Sequence, residues 1–263
     1  DPGQHVRLRA ARGTRPGGLP GARPPASSLV APSTRHPHGY GTGCLMKVIV
    51  FGATGGTGQA TVQELLEGGH EVTAFSRHAD RLDIHSERLH RLAGDALSSE
   101  DVERAMAGQD AVVVALGVND NPLKVRLLHK SRTPTNICSE GTRHIIQAMH
   151  RVGVRRLVVV SAYGVGETRA MLPWTFKVFY HLLLKEQIAD KERQEQLVRN
   201  SGLDWVLVQP VGLTYGRPHG DGVLASTRGE VHHNTIPRRD VGRFLASAVQ
   251  GGQFLFRTVA LSG

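Results

Sequence analysis

The sequence predicts an α/β fold in which one doubly wound parallel sheet is covered by helices on both faces. The first observation is that short apolar runs alternate with helical patterns along the 263-residue chain from Met46 onward. The second is that the runs are apolar on successive residues, which is typical of strands buried on both faces of a parallel sheet. Regular alternation of such strands with helices gives a doubly wound sheet.

The elements follow one another along the chain without an internal repeat. Predicted strands occupy residues 48–51, 72–75, 89–93, 111–116, 157–161, 205–208 and 258–261. Predicted helices occupy residues 57–67, 99–107, 135–151, 176–200 and 239–249. The residues left over after the sheet are loops and a small cap near 212–236, so we expect a single domain over 46–263.

Residues 1–45 are rich in Gly, Pro, Arg and Ser and show no hydrophobic period. Such a segment cannot bury enough apolar surface to offset its ordering entropy, so we expect a disordered leader. It holds six arginines and one aspartate, and therefore +5 of the net charge of +9, which leaves +4 for the rest. Because those remaining charges are interspersed, with no basic helix face or aromatic platform, nucleic-acid binding is not expected.

A glycine cluster follows the first predicted strand and opens the first predicted helix, with the spacing G-x-x-G-x-x-G. A strand–turn–helix unit of this kind holds a dinucleotide pyrophosphate against the free N–H groups of a helix N-terminus. Gly52 is expected to make the tight turn, Gly55 to admit the phosphates and Gly58 to allow close packing of helix on strand. An ordinary glycine-rich turn is the alternative. The predicted phosphate-binding residues are Gly52, Thr54, Gly55, Gly56, Thr57 and Gly58.

The end of the second predicted strand indicates which dinucleotide is bound. In such units an acid about 20 residues beyond the glycines bonds the adenosine ribose 2′-hydroxyl. Here the strand ends in Ser76 and Arg77, with no carboxylate at its tip. Arg77, with Arg81 about one turn further on, can clamp a 2′-phosphate because a guanidinium fork matches phosphate oxygens. We therefore expect NADP rather than NAD, with two solvated surface arginines as the alternative.

Two more segments lie at the carboxyl ends of predicted strands, at the sheet edge where α/β proteins bind ligands. Asp95 and Ala96 come after the third strand, where Asp95 can accept from the adenine amino group or cap the helix that starts near Ser99. The second segment, Ala115-Leu116-Gly117, ends the fourth strand, and its small residues suit close approach of the cofactor.

Composition excludes several other classes of site. Cys44 and Cys138 are far apart in the sequence, so neither a disulfide framework nor a cysteine metal site is expected, which fits a reducing cytoplasm. No H-E-x-x-H or similar metal spacing occurs. No apolar run approaches the ~20 residues that a membrane span needs.

From Met46 onward the sequence resembles the atypical short-chain dehydrogenase/reductases, which have a Rossmann-like fold. It is most similar to the NAD(P)H-binding group that contains flavin reductase/biliverdin reductase B and the nitrogen-metabolite-repression regulators. The motifs that carry the resemblance are Ile49-Val50-Phe51-Gly52-Ala53-Thr54-Gly55, Ser76-Arg77, Gly94-Asp95, Gly108-Gln109-Asp110-Ala111-Val112-Val113, Ser161-Ala162-Tyr163-Gly164, Ser201-Gly202-Leu203-Asp204-Trp205 and Gln209-Pro210-Val211-Gly212-Leu213-Thr214.

The resemblance implies roles for residues near the reactive end of the cofactor. It places Ser161 beside the nicotinamide, where the hydroxyl can bond a substrate carbonyl or relay a proton. Gln209 stands where relatives often carry arginine, and the helix at 176–200 is either one wall of the cleft or a solvated charged surface. The segment implied to line the nicotinamide pocket is Pro210, Val211, Gly212 and Leu213.

A tyrosine acid of the Tyr-x-x-x-Lys type is missing. Tyr163 is followed four positions later by Glu167, and Tyr180 by Leu184. Since the lysine of that motif is what prepares the tyrosine as a general acid, a carbonyl reductase or an epimerase is disfavoured. Tyr163 remains a candidate catalytic contact, with a core aromatic as the alternative.

The predicted function is therefore NADPH-dependent reduction of a flavin, quinone or similar planar acceptor. The alternative is a non-catalytic NADP(H)-binding redox sensor that acts through a protein partner. We expect a small-molecule acceptor, no membrane or metal, a cytoplasmic location and a monomer.

Overall fold

The computed structural model describes residues 45–117, 134–172, 184–219 and 222–263, together with the backbone of residues 5–7. Strands β1 to β11 are His5–Arg7, Lys47–Phe51, Glu71–Ser76, Leu89–Ala93, Ala111–Val114, Arg156–Val160, Asp204–Pro210, Gly212–Thr214, Leu224–Ser226, Thr235–Pro237 and Arg257–Ser262. Helices α1 to α5 are Gly56–Glu67, Ser99–Met106, Ile137–Val152, Lys185–Arg199 and Arg238–Gln250. Among the described residues, no helix combines the length and apolar character that crossing a bilayer requires.

The main sheet has the strand order β1-β9-β11-β7-β6-β5-β2-β3-β4. All seven predicted strands lie in it, and they run parallel to one another from β4 to β11. The order reverses between β2 and β5, so the chain winds outward in two directions from this point. The prediction of a doubly wound parallel sheet is confirmed.

Alternate residues of each central strand enter two separate apolar cores, one on each face of the sheet. In β2, Val48 and Val50 pack with α1 and α5, whereas Ile49 and Phe51 pack with α2, α3 and α4. The rings of Phe51 and Phe75 lie 4.8 Å apart between their centroids. This two-sided burial is why the strands read as continuous apolar runs rather than as alternating patterns.

The segment predicted as a small cap near 212–236 contributes three short strands. β8 and β10 pair with each other in parallel, while β9 joins the main sheet antiparallel to β11. The backbone of residues 5–7 pairs with β9. The remainder of the predicted leader lies outside the described residues, as does the first part of the helix predicted at 176–200.

His70 connects the start of β2 to the end of α5. The backbone N–H of Met46 donates to Nδ1 at 3.2 Å, and Nε2 contacts the side-chain amide of Gln250. The ring is 1% exposed, and burial lowers the pKa of His70. Because Nδ1 accepts a backbone hydrogen bond, the neutral ring is the form that the fold accommodates.

Acid should therefore destabilise the protein through His70. The pKa in the folded state lies below the ordinary histidine value of about 6.5, so stability falls as pH drops through that value. When the pH is lowered from about 7.5 to about 5.5, we expect the melting temperature of His70→Gln to fall less than that of the parent. His85→Gln, at an exposed histidine, is the control and should behave like the parent. Equal losses in the parent and in His70→Gln would contradict the assignment.

Candidate functional site

The turn from β2 into α1 has no room for side chains at two of its glycines. Gly52 has a φ of 81°, and a Cβ there would lie 2.6 Å from the carbonyl oxygen of Ala115. A Cβ on Gly58 would overlap the carbonyl oxygen of Gly52. These contacts agree with the tight-turn and close-packing roles expected of Gly52 and Gly58. Gly55 is the N-cap of α1 and makes no side-chain capping bond, so the first N–H groups of the helix are open to a ligand.

A cleft of about 320 Å³ opens at the carboxyl ends of the parallel strands, next to this turn. It brings together predicted residues from six separate segments of the chain. Those that line it are Gly52, Thr54, Gly55, Gly56, Thr57, Ser76, Arg77, Asp95, Ala96, Ala115, Leu116, Gly117, Ser161 and Leu213. Predicted residues outside its lining are Gly58, Arg81, Tyr163, Pro210, Val211 and Gly212.

At one end of the cleft, buried Ser76 joins the glycine turn to the end of β3. The hydroxyl of Thr54 donates to Ser76 Oγ at 3.0 Å, and the N–H of His78 donates to the same oxygen at 3.1 Å. Arg77 is exposed beside it and lines the cleft. Arg81 instead borders a separate open depression with Asp80 and other residues. The predicted pair of arginines is thus split, and His78 is a lining residue that the sequence did not single out.

Asp95 lies on the floor of the same end and does not cap α2. Its Oδ1 accepts from the N–H of Leu97 at 3.0 Å. The cap is Ser98, whose Oγ accepts from the N–H of Asp101 at 3.2 Å. The capping alternative for Asp95 is therefore wrong, and its carboxylate is available to the cleft.

At the other end, the hydroxyl of Ser161 points at a fully buried carboxylate. Ser161 Oγ donates to Glu195 Oε1 at 2.5 Å, and Gln209 Nε2 donates to the same oxygen at 2.7 Å. Arg199 donates to Oε2 at 3.1 Å. Glu195 is 0% exposed, so these three donors take the place of water around the carboxylate. The bond fixes the direction of the Ser161 hydroxyl.

Lys191 is a cleft residue whose position only the structure reveals. Its Nζ donates to the carbonyl oxygens of Val160 at 2.7 Å and Leu116 at 3.0 Å, and to Gln194 Oε1 at 3.2 Å. The ammonium group therefore bridges the ends of β5 and β6, and each of its three N–H groups donates a hydrogen bond within the protein.

The inward surface of α4 is polar. Asp190, Lys191, Gln194 and Glu195 follow at the i, i+1, i+4, i+5 spacing of one helix face. Asp190 is 1% exposed and accepts from the backbone N–H groups of Cys138 and Ser139, at the start of α3. Of this face, Lys191 lines the cleft, while the other three side chains are buried against neighbouring elements. Lys185 and Glu186, at its start, are exposed.

Tyr163 is packed in the core. Its hydroxyl donates to the carbonyl of Gly229 at 2.9 Å, and burial raises its pKa. The core-aromatic interpretation is therefore the one that the geometry favours, and a catalytic role is not. Pro210 and Val211 are also buried, and of the segment after β7 only Leu213 reaches the cleft.

Comparison with known proteins identifies the family. The sequence profile described as NAD(P)H-binding matches residues 52–251, from the first glycine of the turn to the end of α5. The chain belongs to the NAD(P)H-binding family. In this family member, the cleft therefore lies where a nicotinamide dinucleotide is expected at the carboxyl edge of the sheet.

Relatives whose names state an activity include a dehydrogenase and several reductases. The chain is 32% identical to a 3-beta-hydroxysteroid dehydrogenase of Mycolicibacterium neoaurum over 46% of its own length, which covers only 33% of that protein. It is 25% identical to the reductase pytE of Aspergillus terreus, over 75% of this chain and 89% of the relative. The solved anaerobilin reductase ChuY of Escherichia coli O157:H7 shares the fold, with a TM-score of 0.66, 20% identity and coverage of 82% and 96%.

Replacing Glu195 by glutamine should test the carboxylate that holds Ser161. The amide oxygen can accept from Ser161 and Gln209, but the amide NH₂ then meets the donor of Arg199. We expect the free energy of unfolding to fall by about 2 kcal/mol, measured by urea denaturation.

The matched control is Glu192→Gln on the same helix. Glu192 pairs with Arg169 at 3.0 Å, and its partner is 60% exposed. Loss of that surface pair should cost about 0.5 kcal/mol or less. Equal losses for the two substitutions would show that the buried hydrogen bonds of Glu195 stabilise the fold no more than a surface ion pair does.

Proposed function

We propose that this protein is an NADPH-dependent oxidoreductase that passes a hydride to a flavin, a quinone or a similar planar acceptor. The observation that carries the proposal is the state of the polar side chains near Ser161. The Ser161 hydroxyl donates a hydrogen bond to Glu195, and the Lys191 ammonium group donates three hydrogen bonds to other protein groups. A reaction that requires no proton from an enzymic acid during hydride transfer suits such a site.

Three features of the chain would bind and orient the cofactor. The open N-terminus of α1 suits its pyrophosphate, and the small residues after β5 suit close approach of its ring system. Ser161 and Lys191 would bound the reactive end. When bound, the nicotinamide supplies the hydride, while the protein supplies orientation and a site from which water is excluded.

The preference for NADPH over NADH rests on the end of β3. Arg77 lines the cleft beside Ser76, and within the described part of the chain it has no carboxylate partner. The tip of the strand carries no acid that would bond a free 2′-hydroxyl. A guanidinium at this position would instead pair with a 2′-phosphate.

Named reductases among the relatives support an enzyme over a sensor. The proposal carries with it a small-molecule acceptor, a cytoplasmic location, no nucleic-acid or membrane partner and a monomeric state. Size-exclusion chromatography with light scattering would test the last of these directly.

Substitution of Arg77 should remove the discrimination between the two cofactors. We expect the parent to bind NADPH at least about tenfold more tightly than NADH, and Arg77→Ala to erase most of that difference. Fluorescence titration of both nucleotides measures it. Arg81 lies outside the cleft, so Arg81→Ala should leave both affinities within about twofold of those of the parent. Equal affinities of the parent for NADPH and NADH would refute the preference.

Turnover should depend on the Ser161 end of the cleft. We expect the parent to oxidise NADPH in the presence of FMN or a quinone, and Ser161→Ala to lower kcat/KM about tenfold by loss of orientation. Ser247→Ala, on the outside of α5, is the control. Tight NADPH binding without oxidation across a panel of acceptors would instead support the NADP(H)-binding sensor.

A further inference from the structure

Three arginines lie in the first half of α5, and they have different surroundings. Arg239 Nε donates to Glu64 Oε1 at 2.9 Å, and Arg243 Nε lies 3.5 Å from the other oxygen of Glu64. Both therefore tie α5 to α1. Arg238 lines the cleft, and among the described residues it has no carboxylate partner. It is a cation that the packing of the two helices does not use.

The guanidinium of Arg238 is held by an aromatic ring. Its Cζ lies 4.1 Å from the centroid of the Tyr215 ring. Tyr215 itself is 83% exposed, so the ring contributes little to the core. A cation over an aromatic face is attracted by the ring quadrupole, which limits the directions that the guanidinium can take. The ring thus positions Arg238 over the cleft.

The Arg238 side chain crosses the first residue of α1. A Cβ on Gly56 would lie 2.7 Å from Arg238 Cδ and 2.8 Å from the hydroxyl oxygen of Tyr215. Because Gly56 has no Cβ, the Arg238 side chain can occupy the space beside it, although Arg238 is distant in the sequence. The first turn of α1 carries no charged side chain of its own.

We propose that Arg238, positioned by Tyr215, binds the pyrophosphate of the dinucleotide from the side of α5. Its guanidinium would add a positive charge beside Gly56, in a turn whose other ligands are backbone N–H groups. The inference rests on the nucleotide binding in the proposed function. It assigns the two cleft arginines that have no carboxylate partner among the described residues to different phosphates: Arg77 to the 2′-phosphate, Arg238 to the pyrophosphate. Charge-assisted bonds from a guanidinium to phosphate oxygens are among the strongest that a side chain makes.

The two assignments predict different patterns of lost affinity. Arg238→Met should weaken NADPH and NADH by the same factor, about tenfold, because both nucleotides carry the pyrophosphate. Arg77→Ala should weaken NADPH alone. Competition by 2′-AMP, which has a 2′-phosphate and no pyrophosphate, should be unchanged in Arg238→Met. Arg243→Met removes the same charge from the same helix outside the cleft and should leave all three affinities as in the parent.

A double-mutant cycle tests whether Gly56 acts through Arg238. Gly56→Ala would displace the Arg238 side chain, and we expect it to weaken both nucleotides about fivefold in the parent. In the Arg238→Met background the same substitution should have little further effect. Tyr215→Leu should weaken both nucleotides about twofold to threefold by loss of the ring contact. Melting temperatures of all variants confirm that the folded state is being compared.

Unchanged nucleotide affinity in a folded Arg238→Met variant would overturn the inference and leave the proposed function standing. A loss for NADPH but not for NADH would also overturn it, because Arg238 would then serve the 2′-phosphate. A parent that binds neither nucleotide would overturn the proposed function together with the inference.

Discussion

The turn between β2 and α1 depends on a steric constraint that sets the geometry of the whole cleft. Its backbone passes so close to Ala115, and α1 so close to Gly52, that neither Gly52 nor Gly58 has space for a Cβ. Only this approach brings the N-terminus of α1 against the end of β5, where the strand order reverses. The residues that follow β3, β5 and β6 then lie around one opening, since parallel strands end at the same edge.

On the opposite side, a network of charged side chains on α4 lies behind a cleft wall that also contains the apolar residues Ile137, Val160 and Leu213. Glu195 and Asp190 are buried and fully bonded, and Lys191 joins two strand ends through their carbonyl oxygens. A buried carboxylate without such partners would cost several kcal/mol, so the network has to be satisfied as a unit. The hydrogen bonds of this network restrict the orientations of the side chains near the proposed reaction centre.

Sequence patterns were sufficient for the parallel strands, the described parts of the helices and most of the predicted residues at strand ends, because these depend on local periodicity and on a glycine turn. They placed Pro210, Val211 and Gly212 in the cleft, and the structure does not. They were insufficient for Lys191 and Glu195, since a buried helix face made of charged residues has no hydrophobic period to detect. Arg238 was missed for another reason: it is 182 positions beyond Gly56, and only the packing of α5 on α1 brings them together. Arg81, one turn from Arg77 in sequence, was assigned to the cleft although the chain turns away after β3.

The position of β11 inside the sheet has a consequence for the order of assembly. β9 is made about 30 residues before β11 when the chain is synthesised, yet it reaches the parallel strands only by pairing with β11. Until then β7 is an open edge with unpaired backbone groups, which is the kind of surface on which other chains add. Arg238 is also synthesised late, in the helix just before β11. A nascent chain can therefore form the glycine turn early, but it remains open to misassociation at β7 until its last strand is in place.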